Sequence, residues 1–535
     1  MKKRALIHVE NTQNLGELAD YLYKSGWELI SANKTETFLR NLNIPVIHED
    51  ALEQTTKTNS GYSLVEQQIL SVQPSQSVFD GNSSLAHLSE TNHENEISLV
   101  CINFRPVLQT IAQEHQFTAL QRPANFFVTS ILRTAYYNSE NILILTDPED
   151  YREAILQLMT DSISAEFRTY LAAKALNMVS AYDSGIACSI LHSPQFSNNF
   201  LNYLTVPYTK HALYNGSNRQ QQACLYSLPV ENGAVCGLKK IPTENIDFNT
   251  ICDISMAWEF ISTLYTTMKG QFNVKTINAD GYDFTTQFTP LTGTVFTIAI
   301  KFRSILGASL STNALDSIIK TNNFEKDIDG VSLGCSSVID EDAAKEIVKC
   351  NYQAIIAPSF TEKASEILSQ KQNLKLIPTS KVITTDFEGK LVNGGILVQT
   401  KDSRLFDQWQ IKTRSRPDQQ IADEMAFGNL LTLGARSFNA ILLKENHIVT
   451  VAQSCTTTKK ALDQLCIPIT DFGKNGELLV CDSPLPYCDS LRYIIDNGLK
   501  AIIQPGGAET DDELIKYCND HNVVMIFTDM THINF

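Results

Sequence analysis

No stretch of the 535 residues approaches the ~20 consecutive apolar residues of a membrane-spanning helix. The N-terminal MKKRALIHVE runs from a basic cluster straight into a strand pattern, without the apolar segment of a secretion signal, so the cytosol (a cytoplasmic location) is the expected compartment. Cysteine occurs twelve times but never as C-x-x-C, and Cys481 and Cys488 are the closest pair. That scatter predicts buried free thiols, with no metal site and no disulfide framework. Positive charge is short, 43 Lys and Arg against 59 Asp and Glu, for a net charge of −16. A nucleic-acid or anionic-membrane partner is therefore not expected, whereas an anionic metabolite needs only one local cationic pocket. Histidine is absent between His211 and His447. A reaction that needs an imidazole base from that long interval finds none there.

At ~100–200 residues per domain the length predicts two to four domains. RALIHVE reads as a buried strand, and Leu15, Leu18 and Leu22 then recur at helical spacing up to Gly26. ELISA, KTETFLRNLN and IPVIHE continue as strand, helix and strand, and SLVCINF and NILILTD add two strands. This alternation predicts an α/β fold with a parallel sheet. Residues 53–96, rich in Ser, Thr, Gln and Asn, read as a long connection. AEFRTYLAAKALNMVSAYDSGIACSIL predicts a long helix or helix pair, and HSPQFSNN after it is the expected domain boundary. Further α/β elements follow to the C-terminus, and no short-period repeat is visible.

Two stretches invite a chemical reading. IIQPGGAETDDELI sets a Pro-Gly-Gly loop between a strand and a helix, where backbone amides can hold an anion, although a plain tight turn explains it better. NVKTINADGY puts Lys275, Thr276, Asn278 and Gly281 in a polar strand-to-loop turn with no base beside them.

The segments FRTYLAAKALNMVSAYDSGIA, IIAPSFTEKASEIL, KLVNGGILVQ and AIIQPGGAETDDELIKYCNDHNVVMIFTDM resemble, in order, the bifunctional AICAR transformylase/IMP cyclohydrolase family. The resemblance covers nearly the whole chain, with 53–96 matching poorly. It implies a methylglyoxal-synthase-like doubly wound domain over 1–192. It also implies a transformylase part over 193–535, built of two cytidine-deaminase-like lobes with a break near 380–400. The family's homodimer, with sites at the interface, and its formyl donor 10-formyltetrahydrofolate come with it as expectations.

The site motifs match unevenly. In the cyclohydrolase part the family's SVSDK, STGGT, NLYPF and DIGGPTMVRSAAKNH read HVENT, SANKT, NFRPV and NFFVTSILRTAYYNS, and KTLHP has no counterpart. Ser31, Thr35 and Arg133 remain. The lysine position is Tyr137, the tyrosine position is Arg105, and Phe127 and Val128 stand where glycines admit a phosphate. Loss of cyclohydrolase activity is the expectation.

In the transformylase part, VKHxNPCG matches at Lys275, Asn278 and Gly281, but its histidine, the family's general base, is Thr276, a hydroxyl that does not titrate near neutrality. A replacement must come from His447, His521, His532, a carboxylate or the partner protomer. RYGENPHQ reads YNGSNRQQ and TDMRHFRH reads TDMTHINF. Two phosphate-gripping arginines thus become Tyr214 and Thr531, and Arg219 is one displaced substitute. On the folate side SDAFFPFRD reads CDSPLPYCD, keeping Asp482, Pro486, Tyr487 for an aromatic, and Asp489; the family's catalytic asparagine is Asn439. The loops GIGAGQ and SAFGG have become VAQSCT and DIDGV.

These matches lead to a repurposed formyltransferase. Lys275 and Asn439 are its catalytic residues. Tyr214, Thr276, Asn278, Gly281 and Thr531 lie about the acceptor, and Pro486, Tyr487 and Asp489 about 10-formyltetrahydrofolate. Its acceptor is a small molecule without a ribose phosphate. The alternatives are a pseudoenzyme acting as a dimeric scaffold or regulator, and a purine enzyme with compensating residues.

Overall fold

The computed structural model describes residues 3–49, 65, 69, 97–104, 123–191, 209–218, 220–227, 238, 246–267, 272–288, 293–325, 327–380, 382, 387–402, 404–406 and 408–534. Apart from Val65 and Ile69, the expected connection over 53–96 lies outside them, as do Arg105, Arg219 and the Phe127 side chain. The chain divides into two compact units, Met1–Thr209 with Ser227–Val230, and Lys210–Tyr226 with Glu231–Phe535.

In the first unit, β1 (Arg4–Val9), β2 (Glu28–Ser31), β3 (Ile47–His48), β4 (Ile97–Asn103) and β5 (Leu143–Leu145) form a parallel sheet in the order β3-β2-β1-β4-β5. Alternate side chains of β1 feed two cores. Ala5, Ile7 and Val9 meet Leu15, Leu18 and Leu22 of α1 (Leu15–Lys24) and Leu39 of α2 (Asn33–Asn41). Leu6 faces Ile131 and Leu132 of α3 (Pro123–Tyr137). After α4 (Tyr151–Met159), the predicted long helix or helix pair is one helix, α5 (Ala165–Leu191).

The second unit opens with β6 (Thr209–Asn215), β7 (Gln222–Ser227) and α6 (Phe248–Thr267). The hairpin β8 (Phe272–Ile277) and β9 (Asp283–Phe288) follows. A pattern then occurs twice. Its first copy is β10 (Val295–Lys301), β11 (Ser304–Ser311), α7 (Ala314–Thr321), β12 (Val331–Cys335), α8 (Glu341–Ile347), β13 (Tyr352–Ala357), α9 (Glu362–Ser369) and β14 (Lys375–Pro378). A ribbon of β15 (Phe387–Val392) and β16 (Gly395–Thr400), then β17 (Trp409–Ile411) and α10 (Gln419–Thr432), lead to the second. That copy is β18 (Ala440–Lys444), β19 (His447–Ala452), α11 (Thr458–Phe472), β20 (Leu478–Cys481), α12 (Asp489–Asp496), β21 (Ala501–Gln504), α13 (Asp511–Asp520) and β22 (Val524–Phe527).

In each copy an antiparallel hairpin pairs its first strand with the next, and two parallel strands follow. The hairpins meet at Ser309↔His447, giving one sheet of thirteen strands. Helices α6 and α10 share one core, whereas α7–α9 and α11–α13 bury their apolar faces in separate ones.

A buried carboxylate repeats with the fold. Asp253 on α6 accepts hydrogen bonds from the backbone N–H groups of Phe302 (2.9 Å) and Arg303 (2.6 Å), in a turn whose two central residues both have positive φ. Glu424 on α10 accepts from the N–H of Asn446 (2.8 Å) in the matching turn Glu445–Asn446, again with positive φ. Buried backbone donors at a tight turn need an acceptor, and each helix supplies one.

Burial raises the Glu424 carboxyl above its usual range, against the lowering effect of the Asn446 N–H. Because the folded value is raised, its stabilising contribution is present below the ordinary carboxyl value of 4.5 and is lost as pH rises through the folded value. Glu424→Gln keeps an acceptor for Asn446 and cannot ionise. The difference in melting temperature, variant minus wild type, should therefore grow in the variant's favour from pH 4.5 upward; a constant difference across that range would refute the assignment.

Candidate functional site

In the first unit the order of the strands reverses between β1 and β4, where ligands of such sheets bind beyond the strand ends. Here that crevice is tied up by the chain itself. Asn103 Oδ1 accepts from the N–H groups of Glu10 (2.9 Å) and Asn11 (2.8 Å). Thr35 Oγ1 accepts from the Val9 N–H and donates to the Val9 carbonyl, and Ser31 Oγ donates to the Ile7 carbonyl. Arg133 pairs with Asp183, and Tyr137 is largely exposed. Among the described residues, these amides and hydroxyls at the strand ends have partners in the chain.

In the second unit the β8–β9 hairpin lies at the sheet edge, next to β17 and two strands, roughly 10 Å, from β22. Strand alternation puts Lys275 and Thr276 on opposite faces. Lys275 Nζ meets Asp283 3.0 Å away, with both side chains more than half exposed. Thr276 is fully buried, and its hydroxyl contacts those of Thr286 and the carbonyl of Val274. Asn278 Oδ1 accepts from the N–H groups of Asp280 and Tyr282, while Gly281 has φ 82°, a left-handed conformation suited to glycine. Asn278 and Gly281 thus build the turn.

The residues expected on the folate side are at the second hairpin copy. Asn439 is fully buried: its Nδ2 donates to Asp482 (2.8 Å) and to the Ala435 carbonyl (3.2 Å), and its Oδ1 has no protein partner among the described residues. Burial pushes the Asp482 carboxyl up, opposed by hydrogen bonds from Ser437 and the Asn439 N–H. Pro486 and Tyr487 are half-buried, and Tyr487 packs 5.7 Å from the Tyr517 ring with the Arg492 guanidinium 5.6 Å from its face. Asp489 is exposed and pairs with Arg492. In the Pro-Gly-Gly loop the Gly507 N–H donates to Asp511 (2.7 Å), and a Cβ on Gly506 would lie 2.3 Å from the Phe527 ring, so the loop reads as a self-capped turn.

Two neighbouring clefts share Met256, Glu259 and Arg303 in their walls. The first, about 290 Å3, is mostly apolar and lined by Tyr214, Phe248 and Ile251 among others. The second, about 110 Å3, is polar, with Lys401, Asp402, His532 and Asn534 in its wall. His532 is buried; Nδ1 meets Asp402 at 2.8 Å and Nε2 meets the Leu405 carbonyl at 3.1 Å. Both ring nitrogens of His532 are taken up by contacts within the chain, so neither is turned to the cleft as a base. Asp402 is the half-exposed carboxylate that it orients.

The second candidate histidine, His447, is at the junction of the hairpins, and the third, His521, stacks on Tyr517. Thr531, the position of the second lost arginine, is exposed beside His532. Ser437 Oγ donates to Asp482 (2.6 Å), and the His532 N–H donates to the Asp482 carbonyl (3.1 Å). Asn439, Asp482, Ser437, His532 and Asp402 therefore form one continuous network ending at the polar cleft. Asp402, Ser437 and Arg303 are not singled out by the sequence. The only local hint is Arg303 in a two-residue turn between apolar strands.

The AICARFT/IMPCHase bienzyme family model matches residues 135–455, more than half of the chain. The chain belongs to this family. Proteins described as "Bifunctional purine biosynthesis protein PurH" are similar from end to end. That of Clostridium acetobutylicum is 27% identical over 548 residues, covering 99% of both chains, and that of Clostridium perfringens is 27% identical over 545 residues with the same coverage. That of Fusobacterium nucleatum is 26% identical over 548 residues, again covering 99% of both. A solved structure described as "Crystal structure of ForH" is 23% identical and covers 35% of this chain and 97% of its own, with a TM-score of 0.29 that supports no comparison of folds. At this distance from its relatives the chain is a divergent member. Among the described residues no helix is long and apolar enough to cross a membrane, and no group of His, Cys, Asp and Glu could hold a metal ion.

Proposed function

We propose that this chain is a formyltransferase that takes its one-carbon unit from 10-formyltetrahydrofolate and passes it to an amine lacking a ribose phosphate. The observation that carries the reading is the network from Asn439 to Asp402. Its buried carboxamide oxygen is unpartnered, and its far end is a half-exposed carboxylate in a cleft. In the transfer, the acceptor nitrogen bonds to the formyl carbon and the bond from that carbon to N10 of the folate breaks. The acceptor's proton leaves through Asp402, and N10 ends protonated as tetrahydrofolate is released. Asn439, locked by Asp482, orients the reacting group, and Asp402, fixed by His532, does the work of the missing imidazole. A basic amine needs less help from such a base than the weakly nucleophilic amine of AICAR. Tyr214 and Thr531 carry no charge with which to grip a phosphate. On this reading cyclohydrolase activity is absent, because Tyr137 stands at the lysine position, Arg105 at the tyrosine position, and Phe127 and Val128 where glycines would admit a phosphate. The cytoplasm is the compartment in which this reaction belongs.

A pseudoenzyme is the second reading, favoured by Lys275, which is held by Asp283 in an exposed ion pair instead of facing a cleft. Release of tetrahydrofolate from 10-formyltetrahydrofolate, followed across a panel of primary amines, separates the two. Amine-dependent release supports transfer; a protein that binds folate and releases none with every amine supports the second reading.

We further propose a homodimer seated on the β15–β16 ribbon, with the domain and lobe architecture of the family. Leu391 is 85% exposed, Leu397 63% and Ile396 54% on a two-stranded ribbon. Such a ribbon is marginal alone, and an apolar patch of this kind is covered in most proteins. The double change Leu391→Asp with Leu397→Asp should turn a dimer into a folded monomer in sedimentation velocity. A wild-type monomer, or a variant that stays dimeric, would contradict the placement.

A further inference from the structure

We propose that the apolar cleft beside Arg303 binds a single-ring amine carrying one carboxylate, and that this molecule is the formyl acceptor. The second half of the proposal rests on the formyl-transfer reading above; the first half does not.

The cationic charge in the cleft is single, and the Asp253 carboxylate feels it without a hydrogen bond to the guanidinium. Among the described residues Arg303 is the only cation lining it, and Arg303 makes no side-chain hydrogen bond or ion pair with any of them. Glu259, the only carboxylate in that wall, pairs with Lys401. Asp253 gives both oxygens to the backbone N–H groups of Phe302 and Arg303, not to the guanidinium. Those two bonds fix the root of the Arg303 side chain, at φ 59°, in a turn tied to the buried face of α6. The guanidinium is thus a fork on a rigid base with its N–H groups not hydrogen-bonded among the described residues, and a fork of this shape matches a carboxylate with two parallel hydrogen bonds. A phosphate dianion is a poorer match. It would bring a second negative charge to a wall that already holds Glu259, and the two guanidiniums of the family's phosphate grip are Tyr214 and Thr531 here.

The rest of the wall selects a ring. Tyr214, Phe248, Ile251 and Met256 offer aromatic faces, a branched chain and a thioether. An apolar cavity of about 150 Å3 is filled by benzene, so about 290 Å3 holds one ring with its substituents. Arg303 also lines the polar cleft that contains Asp402. A ligand anchored on Arg303 is therefore held at the border with the proposed proton acceptor.

Calorimetric titration of the intact protein with 4-aminobenzoate, aniline and phenyl phosphate tests the ligand class without any turnover. 4-Aminobenzoate should bind at least about 10-fold more tightly than either of the others, as a charge-assisted pair predicts. Arg303→Gln should remove that advantage while aniline binding stays the same. Arg303→Lys, which keeps the charge and loses the fork, should fall between. Equal affinities for the three probes, tighter binding of phenyl phosphate, no binding by any probe, or an Arg303→Gln protein of unchanged melting temperature that retains the preference would each overturn the ligand class. N-formylation of 4-aminobenzoate with 10-formyltetrahydrofolate is measured separately. Arg303-dependent binding without formylated product leaves the ligand class standing and removes the acceptor role. Formylation of aniline as efficient as that of 4-aminobenzoate overturns the ligand class and leaves formyl transfer standing.

Discussion

Asp402→Asn should lower the rate of formyl transfer by about 10²–10⁴, the usual worth of a positioned general base, and leave folate affinity unchanged. Asparagine has nearly the shape of aspartate and, carrying both an amide donor and an amide oxygen, can still hydrogen-bond His532 Nδ1 in either tautomer, so the cleft keeps its form. What disappears is the ability to take the proton released by the acceptor amine. Asn439→Ala should cost about 10²–10³ through loss of the carboxamide oxygen proposed to orient the reacting group. It also strips Asp482 of one hydrogen bond in a buried site, so the melting temperature should fall as well, which the Asp402 variant should not show. Rates measured at saturating folate, beside folate titrations of each variant, decide the matter. An Asp402→Asn protein of wild-type rate would remove Asp402 from the mechanism.

AICAR should bind roughly 10²–10⁴ more weakly than to an enzyme with both arginines, since two charge-assisted contacts at about 1.5–3 kcal/mol each are missing. The formylated intermediate should yield no IMP above the uncatalysed rate. The triple change Tyr214→Arg, Thr276→His and Thr531→Arg should recover measurable transfer from 10-formyltetrahydrofolate to AICAR, whereas Thr276→His alone should not. Thr276 is buried against Thr286 and turned away from the face that Lys275 presents. A histidine there must displace that hydroxyl pair before it can act, so its melting temperature is the control. A triple variant that folds, dimerises and binds folate but does not turn over would show that the difference from the family extends past these three positions.

Much of the fold is legible in the sequence because its elements carry simple periods. Leu15, Leu18 and Leu22 mark α1, and the alternation of Ala5, Leu6 and Ile7 divides the first sheet into two cores. The duplication in the second unit, expected only from the resemblance, is not legible as a repeat in the residues themselves. Its equivalent turns read Lys301-Phe302-Arg303-Ser304 and Lys444-Glu445-Asn446-His447. They share a backbone shape and a buried carboxylate from a helix, and only the lysine in sequence. The candidate site is legible where a motif is contiguous, as at Asn439 and Asp482. It is hidden where the fold joins distant residues. Asp402 and His532 are 130 residues apart, and Arg303 reads as an ordinary turn residue until Asp253 and the cleft are seen around it. Asn278 and Gly281, which match a family motif, turn out to make a tight turn, an outcome that motif matching alone cannot separate from ligand binding.

The central claim is that the chain still uses a folate one-carbon donor. Isothermal titration of the purified protein with 10-formyltetrahydrofolate tests it most directly. Binding with a Kd in the micromolar range, about −8 kcal/mol, and weakened by Asn439→Ala, is the predicted result. A folded protein that shows no heat and no thermal shift with 10-formyltetrahydrofolate at millimolar concentration would contradict it.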